Sequence, residues 1–145
     1  MTEASPQALA EIRIAAQADE LKGLRDTVRE TVLAQGVDDK LAECLVLAVD
    51  EAAVNVIRHA YGDSGTGEIV LQILNNRGVL VFRLTDFAPP VDTARICPRD
   101  LDDIRPGGLG VHLIAEVMDE VEFVAPPPGA GNVLEMRKAI TAESN

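Results

Sequence analysis

The sequence predicts an α+β fold in two layers, a mixed, mostly antiparallel sheet covered on one face by about three helices. Segments with strand and helix patterns follow the order strand, helix, helix, hairpin, helix, hairpin, which differs from the regular alternation of α/β proteins. Hydrophobic residues make up 47% of the chain but aromatic residues only 3%, so aliphatic side chains must fill the core. The 145 residues suit one domain, and we expect a single domain over residues 1–145.

The first strand and helix follow from a change in hydrophobic period. Residues 10–15, AEIRIA, alternate between apolar and polar side chains, which is typical of a half-buried strand. The next segment carries apolar residues at helical spacing, namely Leu21, Leu24, Val28 and Val32. We predict that this helix ends at Gly36, because glycine commonly terminates helices.

The second helix is predicted within residues 37–63, VDDKLAECLVLAVDEAAVNVIRHAYGD. Asp38 or Asp39 is the expected N-cap, since aspartate side chains accept hydrogen bonds from the first free amides of a helix. Gly62 is the expected stop, which gives a helix of about six turns.

Two hairpins and a short helix complete the fold. The runs GEIVLQILNN and GVLVFRLTD are rich in strand-forming residues and share the turn NNRG, so they predict an antiparallel hairpin that ends at Asp86. A glycine turn then opens a helix within GGLGVHLIAEVMDEV, with Val111, Ile114, Val117 and Met118 on one face. The runs EFVAP and NVLEMRKAI, separated by PPGAG, predict the last hairpin.

Composition excludes several classes of partner. The net charge of −11 opposes binding to nucleic acid and to anionic lipid surfaces, so we expect neither partner. The chain contains no apolar run of about 20 residues and no signal-peptide pattern at its start, which predicts a cytoplasmic protein. Cys44 and Cys97 lie in unrelated settings, and we expect both to be free thiols.

A polar stripe lies inside the second predicted helix. Glu51, Asn55 and His59 are four residues apart and advance by about 40° per step, so they form one slanted ridge among apolar neighbours. Such a ridge is either the polar edge of a buried helix or part of a site. His59 and His112 have no further ligand at metal-binding spacing, which argues against a histidine metal centre.

Two further features favour a site. Gly107, Gly108 and Gly110 surround Leu109 at a predicted helix start, where a small backbone and free amides suit a phosphate, although such glycines also form ordinary turns. Asp86, at the end of a strand, can accept a hydrogen bond from an exocyclic amine such as that of adenine, although on its own it is also an ordinary strand-ending aspartate.

The segment of residues 87–107 has no regular period, and a loop of this length in a compact domain is usually functional or disordered. We predict a lid over a site. The lid contains Arg95, Arg99 and Arg105, whose side chains either neutralise a transferring phosphate or remain solvated surface charges.

These features together resemble the GHKL ATPases, the superfamily of gyrase, heat-shock chaperone, mismatch-repair and histidine-kinase nucleotide domains. The helical Glu-x-x-x-Asn, the Asp at the strand end and the later glycine turn occur here in the order of that superfamily. The stretches DEAAVNVIRHAY, GGLGVHLIAEVMDEV and GAGNVLEMRK are similar, more closely, to the bacterial anti-sigma factor serine/threonine kinases. The resemblance covers about residues 10–140 and implies a Bergerat-type sandwich.

The resemblance also implies roles for individual residues. Asn55 would bind Mg²⁺, Asp86 would bind the adenine amine of ATP, and Glu51 would be the general base. The glycine turn with Leu109, and Arg105 of the lid, would contact the nucleotide as well. Ala88 stands where relatives usually have glycine, and its Cβ, placed where backbone approaches adenine, implies weaker nucleotide binding.

The function implied is an ATP-dependent serine/threonine kinase that phosphorylates an anti-sigma factor antagonist, sequesters a sigma factor and forms a homodimer. Two alternatives remain open: a switch kinase that regulates a phosphatase or stressosome-like partner without binding sigma, and a non-catalytic module that docks a partner. A histidine-kinase catalytic domain is disfavoured, because no phospho-accepting histidine segment precedes the first predicted strand.

Overall fold

The computed structural model describes residues 6–58, 67–87 and 110–140. These residues form three helices and one five-stranded sheet with the strand order β1-β2-β3-β5-β4, and every pairing is antiparallel. The strands are β1 (Gln7–Ala15), β2 (Glu68–Asn76), β3 (Val79–Asp86), β4 (Glu120–Val124) and β5 (Asn132–Ala139). The helices are α1 (Leu21–Ala34), α2 (Asp39–Val56) and α3 (Gly110–Val117).

Strand β1 begins three residues earlier than its alternating pattern indicates. It pairs with β2 from Gln7 opposite Asn75 to Ala15 opposite Glu68, with a bulge between Ala8 and Ala10. Backbone pairing to a neighbouring strand does not require alternating side chains. The extension therefore depends on β2, which lies far along the chain.

Helix α1 ends before Gly36 as predicted, whereas helix α2 confirms only its predicted start. The Asp38 carboxylate accepts a hydrogen bond of 2.7 Å from the Leu41 amide, which confirms Asp38 as the N-cap of α2. A short 3₁₀ turn, Ala18–Glu20, precedes α1, and the chain leaves α1 through Gly36 at φ 92°. Helix α2 ends at Val56, and the predicted stop at Gly62 lies outside the described residues.

The turn between β2 and β3 confirms the first predicted hairpin. Arg77 has φ 56° and Gly78 has φ 88°, so both turn residues are left-handed, as the tight turns of twisted hairpins require. The Asn75 carboxamide oxygen accepts a hydrogen bond of 2.8 Å from the Gly78 amide. The last hairpin, β4 with β5, is confirmed as well.

The helices pack on one face of the sheet, as predicted, and the core lies between the two layers. All four apolar residues that define α1 are buried, and Ile114, Val117 and Met118 are buried at α3. The sheet contributes alternate residues to the same core: Ile69, Leu71, Ile73, Leu80, Phe82, Leu84, Leu134 and Met136. The opposite face of the sheet carries ion pairs, such as Arg83 with Glu135 at 2.8 Å.

Several predictions fall wholly or partly outside the described residues. The lid predicted for residues 87–107 is described only at Phe87, and Cys97 is not described. Cys44 is a free, half-buried thiol, as predicted. The prediction of one domain over residues 1–145 extends beyond the described ranges and stays a prediction. No helix among the described residues is long and apolar enough to cross a membrane.

Candidate functional site

A buried polar pair lies at one end of the sheet. Asp86 is the last residue of β3 and Asn132 is the first residue of β5, and the two are directly opposite each other in the sheet. They are 5% and 7% exposed, and Asn132 Nδ2 donates a hydrogen bond of 3.0 Å to Asp86 Oδ1. The Gly131 amide donates to the Asp86 backbone carbonyl at 2.8 Å. Side chain and backbone of Asp86 are therefore both held by the start of β5.

The strand pleat directs Asp86 towards the helices. Side chains two residues apart share one face of a strand, and Leu84 and Phe82, at 1% and 0% exposed, belong to the core between the sheet and the helices. Asp86 continues this row at the end of the strand. A carboxylate in this row can accept hydrogen bonds from a group between the layers. Asp86 ends the strand as predicted, and its contact with adenine stays a prediction.

Asn55 provides the second polar group between the layers. It lies on the buried face of α2, near its C-terminal end, one turn beyond the fully buried Ala52, and it is only 5% exposed. Its Oδ1 atom is buried and has no hydrogen-bond partner in the part of the chain that the structure describes. A buried oxygen without a partner costs about 1–3 kcal/mol, so this oxygen is a candidate for binding a further group.

Glu51 lies one turn before Asn55 and is half-buried. The neighbouring carboxylate on α2, that of Asp50, forms an ion pair with Arg25 of α1 at 3.1 Å. Glu51 makes no ion pair or side-chain hydrogen bond within the described ranges. Its carboxylate is therefore available to a reactant, as a general base must be.

The polar ridge of the sequence thus divides between two environments. Asn55 is buried between the layers, whereas Glu51 is half-buried at the border of solvent. The two environments differ because each step of four residues turns by about 40° around the helix axis. His59, the third member, lies outside the described residues. The first two members thus place a buried amide oxygen one helical turn from a half-buried carboxylate.

The phosphate and lid residues are mostly not described. Ala88, Arg105, Gly107, Gly108 and Leu109 lie outside the described residues, together with Arg95 and Arg99. Gly110 is the first residue of α3, so the described helix begins at the predicted glycine turn. The side chain of His112 is likewise not described.

The donor set fits Mg²⁺ better than a metal held by protein alone. Among the described residues, no group of three or more His, Cys, Asp or Glu side chains converges on a common point. Mg²⁺ prefers oxygen ligands and commonly takes only one or two from the protein, with the remainder from water and phosphates. The Asn55 oxygen, which has no partner among the described residues, has the chemistry of such a ligand, and its binding of Mg²⁺ stays a prediction.

Sequence reasoning missed Asn132. Its segment, GAGNVLEMRK, was assigned to the last hairpin, but nothing local shows which side chain of β5 meets Asp86. The two residues are 46 positions apart, and only the register of β3 with β5 brings them together. A register prediction between these strands would have been the necessary signal.

Comparison with known proteins decides the family. A family model described as a histidine kinase-like ATPase domain matches residues 14–138, which is most of the chain. The chain belongs to this family. The match confirms the predicted resemblance to the GHKL ATPases. The matched residues include every described residue of the candidate site.

Individual relatives point to one branch. The serine-protein kinase RsbW of Staphylococcus aureus is 30% identical over 142 residues, covering 92% of this chain and 87% of the relative. The protein of the same name from the Newman strain gives the same identity and coverage. The predicted similarity to serine/threonine kinases of this branch is confirmed.

A solved structure supports the fold. The crystal structure of the RsbU and RsbW domains of a Mycobacterium tuberculosis protein superposes with a TM-score of 0.59, at 17% identity, over 90% of this chain. The chain spans about a third, 32%, of that structure's chain. At this identity the likeness shows the two-layer fold alone.

Proposed function

We propose that this histidine kinase-like ATPase domain is an ATP-dependent protein serine/threonine kinase that acts as an anti-sigma regulatory factor. The observation that carries the proposal is the buried Oδ1 atom of Asn55, one helical turn from the carboxylate of Glu51, neither of which has a partner among the residues that the structure describes. An amide oxygen for a metal and a carboxylate for a proton are the two protein groups that phosphoryl transfer from ATP to a hydroxyl needs. The names of the relatives support the serine kinase assignment.

Asp86 would recognise the base of ATP. An ionised carboxylate only accepts hydrogen bonds, so it pairs with the exocyclic amine of adenine and is repelled by the carbonyl oxygen of guanine. Asn132 would act through Asp86, because its amide donates to one carboxylate oxygen and fixes the side-chain orientation. Ala88 would lie beside the same base.

Asn55 would hold Mg²⁺ through Oδ1 at the phosphate end of the nucleotide. When bound, the ion neutralises charge on the β- and γ-phosphates. The backbone of the glycine turn would bind the phosphates beside it, and Arg105 would add positive charge; the turn residues are Gly107, Gly108, Leu109 and Gly110.

Glu51 would take the proton of the acceptor hydroxyl. As the serine or threonine oxygen forms its bond to the γ-phosphorus, the bond from that phosphorus to the β–γ bridging oxygen breaks and ADP leaves. The proton passes to the Glu51 carboxylate. The half-buried position of Glu51 suits this step, since one side remains accessible to a protein substrate.

The partners belong to the same proposal. The phospho-acceptor would be an anti-sigma factor antagonist, and the kinase would sequester a sigma factor. We further propose that the protein forms a homodimer in the cytoplasm. The acidic net charge of −11 supports protein partners over nucleic acid or anionic lipid.

Nucleotide binding tests the proposal first. A ligand that binds only the folded state adds about 2.7 kcal/mol of stability at a hundredfold excess over Kd. We expect Mg-ATP to raise the melting temperature, Mg-GTP to raise it less, and ATP with EDTA to raise it less than Mg-ATP. Equal melting temperatures with and without millimolar Mg-ATP would contradict the nucleotide assignment. Pull-down with candidate sigma factors then tests the anti-sigma role.

A further inference from the structure

Strand β1 forms one edge of the sheet. Within the described ranges it pairs only with β2. Glu11 is exposed, and the side chain of Arg13 is 54% exposed, so solvent reaches this edge. The shift of register between Ala8 and Ala10 leaves Ala10–Ala15 as a regular stretch of strand. An exposed, regular edge is a template for pairing with a further strand.

Two opposite charges follow each other along this edge. Ile12 and Ile14 belong to the core, so Glu11 and Arg13 lie on the face of the sheet that is turned away from the helices. Arg13 Nη1 donates to Glu68 Oε1 at 2.7 Å, and a guanidinium group has five N–H donors, so it can bind a second carboxylate. The edge therefore presents a negative and a positive side chain two residues apart.

These charges select one register for pairing with a second copy. Residues opposite each other in an antiparallel pair share a face, so a two-fold axis normal to the sheet passes through a residue rather than between two. An axis at Glu11 would oppose two glutamates, and an axis at Arg13 would oppose two arginines, which is destabilising. An axis at Ile12 instead places Glu11 of each copy opposite Arg13 of the other, which is stabilising.

The other edge of the sheet, β4, does not offer such a pairing. Its side chains on the same outer face include Glu120 and Glu122, which are both exposed. An axis at Val121 or at Glu122 would place glutamates of the two copies opposite each other. Charge therefore favours β1 over β4 as the edge that pairs with a second copy.

A glycine of α1 lies beside the same axis. Gly23 is exposed, and a Cβ atom at this position would meet Ile12 Cδ1 at 3.8 Å, an ordinary van der Waals contact. Contact with Ile12 therefore does not require glycine, which is the least favourable residue in a helix after proline. Neighbouring strands are about 5 Å apart and packed helices about 8–10 Å, so two α1 helices above two paired edge strands are crowded. A glycine at this point lets the two helices approach each other.

We propose that two copies of this chain pair antiparallel through β1 about a two-fold axis at Ile12, so that their five-stranded sheets form one continuous sheet. In each copy, Glu11 pairs with the partner's Arg13, and the two α1 helices meet at Gly23. The inference rests on the homodimer proposed above and names its interface. It does not depend on kinase activity.

Exchange of the two charges tests the proposal, with the dissociation constant of the dimer measured by analytical ultracentrifugation. Glu11→Arg places arginines opposite each other at two points of the dimer, and Arg13→Glu does the same with glutamates. We expect either change to raise the dissociation constant about tenfold, because it turns two favourable cross-strand pairs into repulsive ones. The double variant, Glu11→Arg with Arg13→Glu, restores opposite charges and should return the constant to within about threefold of the wild type.

Glu116→Arg is the matched control. It makes the same change of charge at an exposed position of α3, which packs against α2, and should leave the dissociation constant unchanged. Gly23→Gln tests the contact between the helices. It should raise the dissociation constant without lowering the free energy of unfolding of the dissociated protein, since glutamine favours the helix.

The outcomes separate the interface from the homodimer itself. A double variant that dimerises no better than either single variant, or an equal effect of Glu116→Arg, would overturn the β1 interface and leave the homodimer. A wild type that remains monomeric at every concentration would overturn both. Phosphoryl transfer is measured separately, so failure of the proposed kinase activity is distinguished from failure of this interface.

Discussion

Asn132 Nδ2 donates a hydrogen bond of 3.0 Å to Asp86 Oδ1 where β3 and β5 meet at the candidate nucleotide site. Both residues are almost completely buried. A carboxylate held in this way does not have to reorient when a base arrives, so the hydrogen bond would prepare Asp86 for the proposed contact with the adenine amine.

Replacing Asn132 should weaken nucleotide binding through Asp86. In Asn132→Leu, Asp86 loses a donor to a buried charged group, and hydrogen bonds of this kind contribute about 1.5–3 kcal/mol. We expect the Kd for Mg-ATP, measured by calorimetry, to rise about tenfold or more. The ratio of GTP to ATP affinity should move towards one. Asn132→Thr, which keeps a donor, should restore part of both.

A second asparagine provides the control for this change. Asn75 Nδ2 donates to Gln35 Oε1 at 2.8 Å at the opposite end of the sheet. Asn75→Leu should lower stability but leave the Kd for Mg-ATP unchanged. If the two variants alter nucleotide affinity equally, Asn132 serves only the stability of the sheet.

Replacing Asn55 should abolish stabilisation by Mg-ATP without lowering the stability of the protein alone. Asn55→Leu removes a buried oxygen without a described partner, whose burial costs about 1–3 kcal/mol, and replaces it with an apolar side chain of similar size. We expect the free energy of unfolding without ligand, measured in urea, not to fall, while stabilisation by Mg-ATP is lost. A large loss of stability without ligand, together with unchanged stabilisation by Mg-ATP, would make Asn55 a packing residue.

The ion pair between α1 and α2 should make stability depend on pH. Arg29 donates to Glu43 through Nε at 2.7 Å and Nη2 at 3.2 Å. The hydrogen bond from Arg29, and then its positive charge, hold the pKa of Glu43 below its usual range despite some desolvation. A lowered pKa in the folded state stabilises the protein above the unfolded pKa, and the stabilisation is lost as pH falls through the folded pKa.

Thermal unfolding of Glu43→Gln across the acidic range tests this. The variant should melt below the wild type at neutral pH, and the difference should shrink as pH falls, because wild-type Glu43 then becomes protonated. Glu30→Gln is the control, since Glu30 is an exposed residue of α1 without an ion pair in the described ranges. If the difference in melting temperature between Glu43→Gln and the wild type is independent of pH, the charge of the Arg29–Glu43 pair does not contribute to stability.

Local signals in the sequence predicted much of the fold. The apolar spacing in α1, the Asp38 cap and the turn at Gly78 each depend on residues close together in the chain, and all three are confirmed. The early start of β1 was missed because it is set by pairing with β2. Period and capping rules contain no information on such distant pairing.

The same division holds at the candidate site. Glu51 and Asn55 were found because helical spacing alone places them on one ridge. Asn132 was missed because only strand register brings it to Asp86.

Transfer of labelled phosphate from γ-labelled ATP, with Mg²⁺, to candidate anti-sigma factor antagonists tests the central claim most directly. The wild type should phosphorylate one of them on serine or threonine. Glu51→Gln keeps the size and hydrogen bonding of the side chain but removes the base, so its rate should fall by about 10² to 10⁴ while Mg-ATP binding is retained. Transfer by Glu51→Gln at the wild-type rate, or no transfer by the wild type to any antagonist, would contradict the account.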